Sequence, residues 1–584
     1  MRQEAIILIE NELTRNDRNV SKLLDFFAIA YRNQSYGQLL GIKGKVPDRG
    51  YHMLTSATTL SRAIENLGGP SGWQTLMKDC NSLFVYGMDD SLESNSLIRY
   101  FTKDEHSKVI GHDPSAARLE ISSDYPDMCG PMSGLQFPAP SRNTEYYFRI
   151  TSAGREYKRL IYSGDRVYFL KLNDGGTDIY LNVGNDVVDV DEQVNKGYFD
   201  IRDYFQCAVP LTMYLLHSFR EVRWKKNEIL GCVIVDDPNL KPRYGYFDFK
   251  KTLDFMTQHN FTTNISFIPW NYKSAHPRVV EMLKMHADRY SLSVHGCDHT
   301  ANEFGSSDIL QLNNKIKLAQ QRMNYQKAMF GCHHDEIMIF PQGVFSPESL
   351  KVLKYSNFVA AVNTEVSPGS GTDNMTTIRD TWDVAIMKYS SFPLLMRRYT
   401  SHGIENFAFD MLLEKPCILV THHDNYKNDA AELLEFIQRL NSLDCSIAWR
   451  RLGEVVRQSI KQRTDEAGNH VIKFYANQAT INNTTRNNMN CICIKEETEP
   501  GAIQSVSVNR QKVRWNTSNN YIHFELSLKP GDDYEVCVEY NDIYGAGKRT
   551  FDMAYTLTCA SRRHLSVARD NLAPWKDFFY SLFT

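Results

Sequence analysis

"ILGCVIVDDPN", residues 229–239, is an apolar run that stops abruptly at two aspartates and a proline. A short β-branched run ended by Asp-Asp-Pro-Asn turn chemistry reads as a strand buried on both faces, the kind found in parallel sheets. Similar runs come after it: "NISFIP" (264–269), "LSVH" (292–295), "EIMIF" (336–340), "FVAAVN" (358–363), "CILVT" (417–421) and "CSIAW" (445–449). Amphipathic stretches such as "HPRVVEMLKMHADR" (276–289) and "DAAELLEFIQRLN" (429–441) lie between them. Alternating strands and helices give a parallel sheet with right-handed crossovers, and this many repeats suit a closed or nearly closed α/β barrel.

On either side of residues 226–460 the pattern changes. Residues 1–225 hold strand-like segments such as "SLFVYG" (82–87), "RVYFLKL" (166–172) and "DIYLNVG" (178–184), and read as an α/β domain without visible chemistry. No Gly-rich phosphate loop is present, and "DMCGPMSG" around Cys129 is no nucleophile elbow. "KQRTDEAGNH" (461–470) reads as a polar linker. Residues 465–550 show short strands separated by Gly and Asn turns, as in a small β-sandwich, and residues 551–584 read as a C-terminal helix and tail.

The 584 residues carry a net charge of −3, with 42% hydrophobic and 23% charged residues. That balance offers no electrostatic argument for nucleic acid or an anionic membrane. The opening apolar run, Ala5 to Ile9, is too short for a secretory core, and no stretch reaches the length of a membrane span. A cytoplasmic protein is therefore expected, with cysteines such as Cys232, Cys417 and Cys445 as free thiols inside strands. Nothing in the sequence speaks to the oligomeric state.

The residues just past each strand are more telling. Asp236 and Asp237 end the first, with Asn239 close behind. His295 ends "LSVH", and His299 stands four residues on, a spacing that would align both imidazoles on a helix. With 17 His in the chain such a pair alone means little. Pro341-Gln342-Gly343 comes after "EIMIF", and His422-His423 after "CILVT". Active sites of parallel barrels form at the carboxyl ends of the strands, and these residues gather on that rim. Two imidazoles and a carboxylate make a mixed N/O site for zinc or a similar divalent ion, with coordination positions left open. A second carboxylate can act as general base and a separate histidine as general acid. By contrast, "GCHHDE" (331–336) precedes its strand, on the stability-side rim, and Cys297 reads as a packing residue.

The ordered set "VDDPN", "HGCDH", "FPQG" and "THHD" resembles the polysaccharide deacetylase family, carbohydrate esterase family 4, over about 40% of the chain, as in its large multidomain relatives. The resemblance implies a distorted (β/α) deacetylase-type barrel, a metal ion (zinc foremost) on Asp237, His295 and His299, and Asp236 as general base. His422 or His423 would be the general acid, and Asn239, Pro341, Gln342 and Gly343 would line the substrate site. The implied reaction is removal of N-acetyl groups from amino sugars of a polysaccharide or glycan precursor. A non-catalytic carbohydrate-binding or scaffolding protein, or an amidohydrolase on another small amide, is the alternative. One departure stands out: where the family has an arginine holding the base, this chain has Ile339. Arg397 or Arg398, in "FPLLMRRY", is expected to take that place.

Overall fold

The computed structural model describes the chain apart from residues 1–3, 38–49, 78, 112–117, 139–144, 152–153, 195–196, 227, 369–374, 466, 546–551 and 582–584. The ends of the expected C-terminal segment, 551 and 582–584, thus lie outside the described residues.

The barrel strands are β1 (Ile229–Asp236), β2 (Thr263–Phe267), β3 (Tyr290–His295), β4 (Ile337–Ile339), β5 (Ala360–Asn363), β6 (Leu394–Met396), β7 (Cys417–Thr421) and β8 (Ile447–Trp449). All pairings among them are parallel. The order runs β6-β5-β4-β3-β2-β1-β7, with β8 beside the start of β1. A single bridge between Arg398 and Leu419 of β7 closes the ring. The α/β barrel expected from the sequence is the observed one, with a difference. β6 is not among the expected strands, because three apolar residues between Pro393 and Arg397 carry too little periodicity to read.

Alternation along the strands sorts the side chains into two layers. Val233, Val235, Met338, Leu394 and Met396 pack with the surrounding helices. Ile234, Ile339, Val362, Leu395 and Ile418 form a separate cluster that the strands enclose. Ile339 therefore fills the barrel interior.

Before the barrel lies an eleven-stranded mixed sheet. Tyr31–Ser35, Glu4–Ile9, Tyr51–Ser56, Cys80–Met88 and Thr177–Val183 pair in parallel, and an antiparallel set continues through Arg166–Asp174. The Ala5–Ile9 run is buried within it. After the barrel, a five-stranded and a four-stranded sheet enclose a core that includes Phe474, Cys493, Phe524 and Val538. Lys461–Thr464, expected within a linker, instead lie in the strand Ile460–Thr464, which pairs antiparallel with His470–Phe474. The last described element is a helix, Met553–Ser581, and no described helix is long and apolar enough to cross a membrane. The cysteines are free.

Candidate metal centre

β1 ends at Asp236, two residues beyond Ile234, so its carboxylate continues on the inner side of the barrel. Asp237 leaves the strand at φ +77°, in the left-handed region. His299 (φ +58°) and Gln342 (φ +59°) share that conformation on the same rim. Each such non-glycine residue costs roughly 1 kcal/mol or more and persists where surrounding contacts over-determine it, typically at functional sites.

His295 ends β3, but His299 lies in a loop and not one turn along a helix. The two rings converge by a tight bend at Gly296 (φ +61°), where a Cβ would lie 2.4 Å from Pro341 Cγ and 2.6 Å from Glu303 Oε2. Glu303 is buried and organises the loop. Its carboxylate accepts from the backbone N–H groups of Cys297 (3.2 Å), Asp298 (2.8 Å) and His299 (3.1 Å). Asp298 is held in turn by Arg322 at 2.5 Å.

His295 Nδ1 bonds the carbonyl of Ile339 at 3.1 Å, leaving Nε2 free to face the rim. That Nε2 lies 3.4 Å from Asp237 Oδ1, and His299 Nε2 lies 3.1 Å from the same oxygen. One ligand atom from each of the three residues falls within 4.8 Å of the others. Burial would raise the Asp237 carboxyl, yet the two histidines hold it well below the usual carboxylate range. Asp237 Oδ1 is buried without a hydrogen bond of good geometry. Two imidazoles and an ionised carboxylate with an orphaned oxygen fit a divalent cation. The other acidic cluster, Cys297, Asp298 and Glu303, already has its charge met by Arg322 and Lys315. Among the described residues, His333 and His334 join no such group.

Arg397 grips both oxygens of Asp236, Nη1 to Oδ1 and Nη2 to Oδ2, each at 2.8 Å. Burial pushes the Asp236 carboxyl up, but Arg397 foremost, then His295 and His422, bring it down to about 2. Arg397 shares the inward parity of Leu395. Arg398 has the opposite parity, turns outward, and pairs with Asp410 and the Phe199 carbonyl. It stands outside the site, contrary to its inclusion among the expected residues.

The two adjacent histidines also separate. His422 Nε2 lies 4.0 Å from Asp236 Oδ2, and its partly exposed ring stacks on Tyr399. His423 turns away towards Asp570 of the C-terminal helix, 3.6 Å from its Oδ1, which removes it from the expected pair of acids. Of the expected substrate contacts, Gln342 is exposed at the rim. Pro341 and Asn239 are buried, and Gly343 sits behind the Gln342 turn with its carbonyl bonded to Asn363 at 2.8 Å. Those three support the rim more than they present a surface. The C-terminal helix is the part of the site that sequence reasoning missed, since a polar stripe on a terminal helix carries no address for its docking place.

No family model and no curated protein matches the chain. Solved structures do. The carbohydrate deacetylase Agd3 is similar over 91% of this chain and 99% of its own, at 9% identity and a TM-score of 0.47. A family 4 carbohydrate esterase from Streptomyces lividans, in complex with acetate, is similar over 37% of this chain and 87% of its own, at 14% identity and a TM-score of 0.23. BA3943, a family 4 pseudoenzyme from Bacillus anthracis, is similar over 40% of this chain and 66% of its own, at 10% identity and a TM-score of 0.25. At such identities and scores, what this site does must be read from its own side chains. In the order of its motifs and in the barrel rim that carries them, the chain resembles the polysaccharide deacetylases of carbohydrate esterase family 4.

Proposed function

We propose that the protein is a metal-dependent hydrolase that removes N-acetyl groups from amino sugars of a polysaccharide or glycan precursor. The observation that carries this reading is the convergence of Asp237, His295 and His299 beside an arginine-gripped Asp236 and a partly exposed His422. Held by the three ligands, a divalent ion, zinc by donor preference, would polarise an acetyl carbonyl and acidify an attacking water.

The remaining work falls to the chain. Asp236 is ionised and points its Oδ2 towards the rim, where it can take the proton of the attacking water. Arg397 fixes the direction of that carboxylate with two parallel bonds. His422 Nε2, on the same edge of Asp236, is placed to hand a proton to the departing amine. Exposure of Gln342 and stacking of His422 on Tyr399 leave a polar and aromatic rim suited to a sugar ring.

The test is metal analysis of the purified chain together with acetate release from N-acetylated oligosaccharides. Stoichiometric divalent metal and released acetate support the reading. Tight glycan binding without acetate release would favour the non-catalytic alternative.

A further inference from the structure

The C-terminal helix lies against the rim that carries the metal ligands, and it does so with its polar face. Leu557, Leu565, Leu572 and Trp575 are exposed, whereas Arg563 and Asp570, with the small Cys559, are buried. Polar contacts therefore set its pose. Near one end the Tyr555 hydroxyl donates to Asp298 Oδ2 at 2.8 Å, one residue before the ligand His299. Near the other, the Tyr244 hydroxyl donates to Asp570 Oδ2 at 2.6 Å.

Arg563 stands between these anchors on the same inward face, roughly 12 Å along the helix axis from Tyr555 and roughly 10 Å from Asp570. It is 5% exposed, and its Nε and Nη2 are buried without a hydrogen-bond partner. A buried guanidinium with empty donors is costly unless an acceptor comes to it. These two donors are the parallel pair on one edge of the guanidinium, the edge that takes both oxygens of a carboxylate. Among the described residues that edge is used in this way by Arg398 on Asp410 and by Arg202 on Asp200.

We propose that Arg563 is a product-binding residue beside the metal centre, receiving the carboxylate of acetate between the C-terminal helix and the metal ligands. This rests on the deacetylase reading. Hydrolysis breaks the amide C–N bond, joins the water oxygen to the carbonyl carbon, passes both of the water's protons to the nitrogen, which departs as an ammonium, and leaves acetate as an anion. A neutral acetyl group offers one oxygen to the guanidinium edge, and acetate offers two with a charge. The site therefore prefers the product acid over the amide. Because both donors are buried, the helix must shift for acetate to reach them.

The experiment is calorimetric titration of acetate into the full-length, zinc-loaded protein, for wild type, Arg563→Gln and Arg563→Lys, with zinc content and thermal unfolding measured alongside. Wild type should bind acetate, and the Gln variant should bind about 10- to 100-fold more weakly, the worth of hydrogen bonds to a charged group. The Lys variant keeps the charge but not the fork and should also weaken. If the Gln variant does not fold, the Lys variant decides alone. Wild-type acetate affinity in a folded, zinc-loaded variant would overturn the assignment, as would a wild type that binds no acetate. The two readings fail separately. Acetate binding lost with Arg563, in a chain that releases no acetate from any N-acetylated glycan, would sink the deacetylase reading and leave Arg563 as a carboxylate receptor. Acetate release with unchanged affinity in the variants would do the reverse.

Discussion

Asp236 stays ionised in a buried setting chiefly because a guanidinium, 161 residues away in sequence, holds both of its oxygens, with His295 and His422 adding to the effect. Arg397→Ala should leave that carboxylate free to rotate and lower turnover by about tenfold or more through misorientation. Arg397→Lys should rescue poorly, since an ammonium lacks the planar fork. Arg398→Ala should act on stability instead, by about 3 kcal/mol, because it breaks the buried two-bond pair with Asp410 and leaves that carboxylate only Lys415 at 3.6 Å. Turnover and thermal unfolding of the three variants check this, and equal kinetic effects at 397 and 398 would contradict it. The sequence narrowed the substitute for the missing arginine to these two neighbours and no further. The choice depends on which faces inward, and that is settled by the register of a strand only three residues long. The same limit applied to His422 and His423, whose rings leave the strand end in opposite directions.

At the scale of elements, the loop between β3 and the helix Ile309–Phe330 carries the site. Three successive backbone N–H groups converge on the buried Glu303, so the position of His299 depends on one carboxylate that touches no ligand atom. Glu303→Gln should weaken metal affinity about 10- to 100-fold, the usual cost of disturbing the groups behind a ligand, while leaving the overall fold intact. Metal titration with circular dichroism tests it, and wild-type affinity would show that the loop holds its shape without Glu303. The rim itself was legible in the sequence, because buried parallel strands announce their ends with polar residues. The loop's shape was not. A four-residue histidine spacing suggests a helical turn, and the bend that replaces it rests on Gly296 and on a contact with Pro341, 45 positions further along.

Across the whole molecule, the barrel and the β-sandwich are joined by charge as well as by packing. Asp383, at the end of the helix Ile378–Trp382, receives Lys473 at 2.8 Å, Lys461 at 3.4 Å and the Tyr475 hydroxyl at 2.5 Å, all from the sandwich side. Burial would raise the Asp383 carboxyl, but Lys473 and Lys461 hold it well below its ordinary value. A carboxyl depressed on folding adds stability that is complete above roughly pH 4 and is lost as pH falls through the folded value. Asp383→Asn should therefore cost about 3 kcal/mol near neutrality, the low end for breaking a buried pair. The gap to wild type should close on acidification below about pH 4, and denaturant unfolding across pH reads it directly. A gap that stays constant with pH would mean that the ion pairs are not its source. The central claim is that Asp237 holds the metal while Asp236 works beside it. Bound metal and acetate release in Asp236→Asn and Asp237→Asn, with and without excess metal, test this most directly. Asp236→Asn should keep its metal and lose about 10²- to 10⁴-fold in rate. Asp237→Asn should lose metal and regain part of its activity when metal is added. An Asp236→Asn variant as active as wild type, or one that loses metal while Asp237→Asn retains it, would contradict the account.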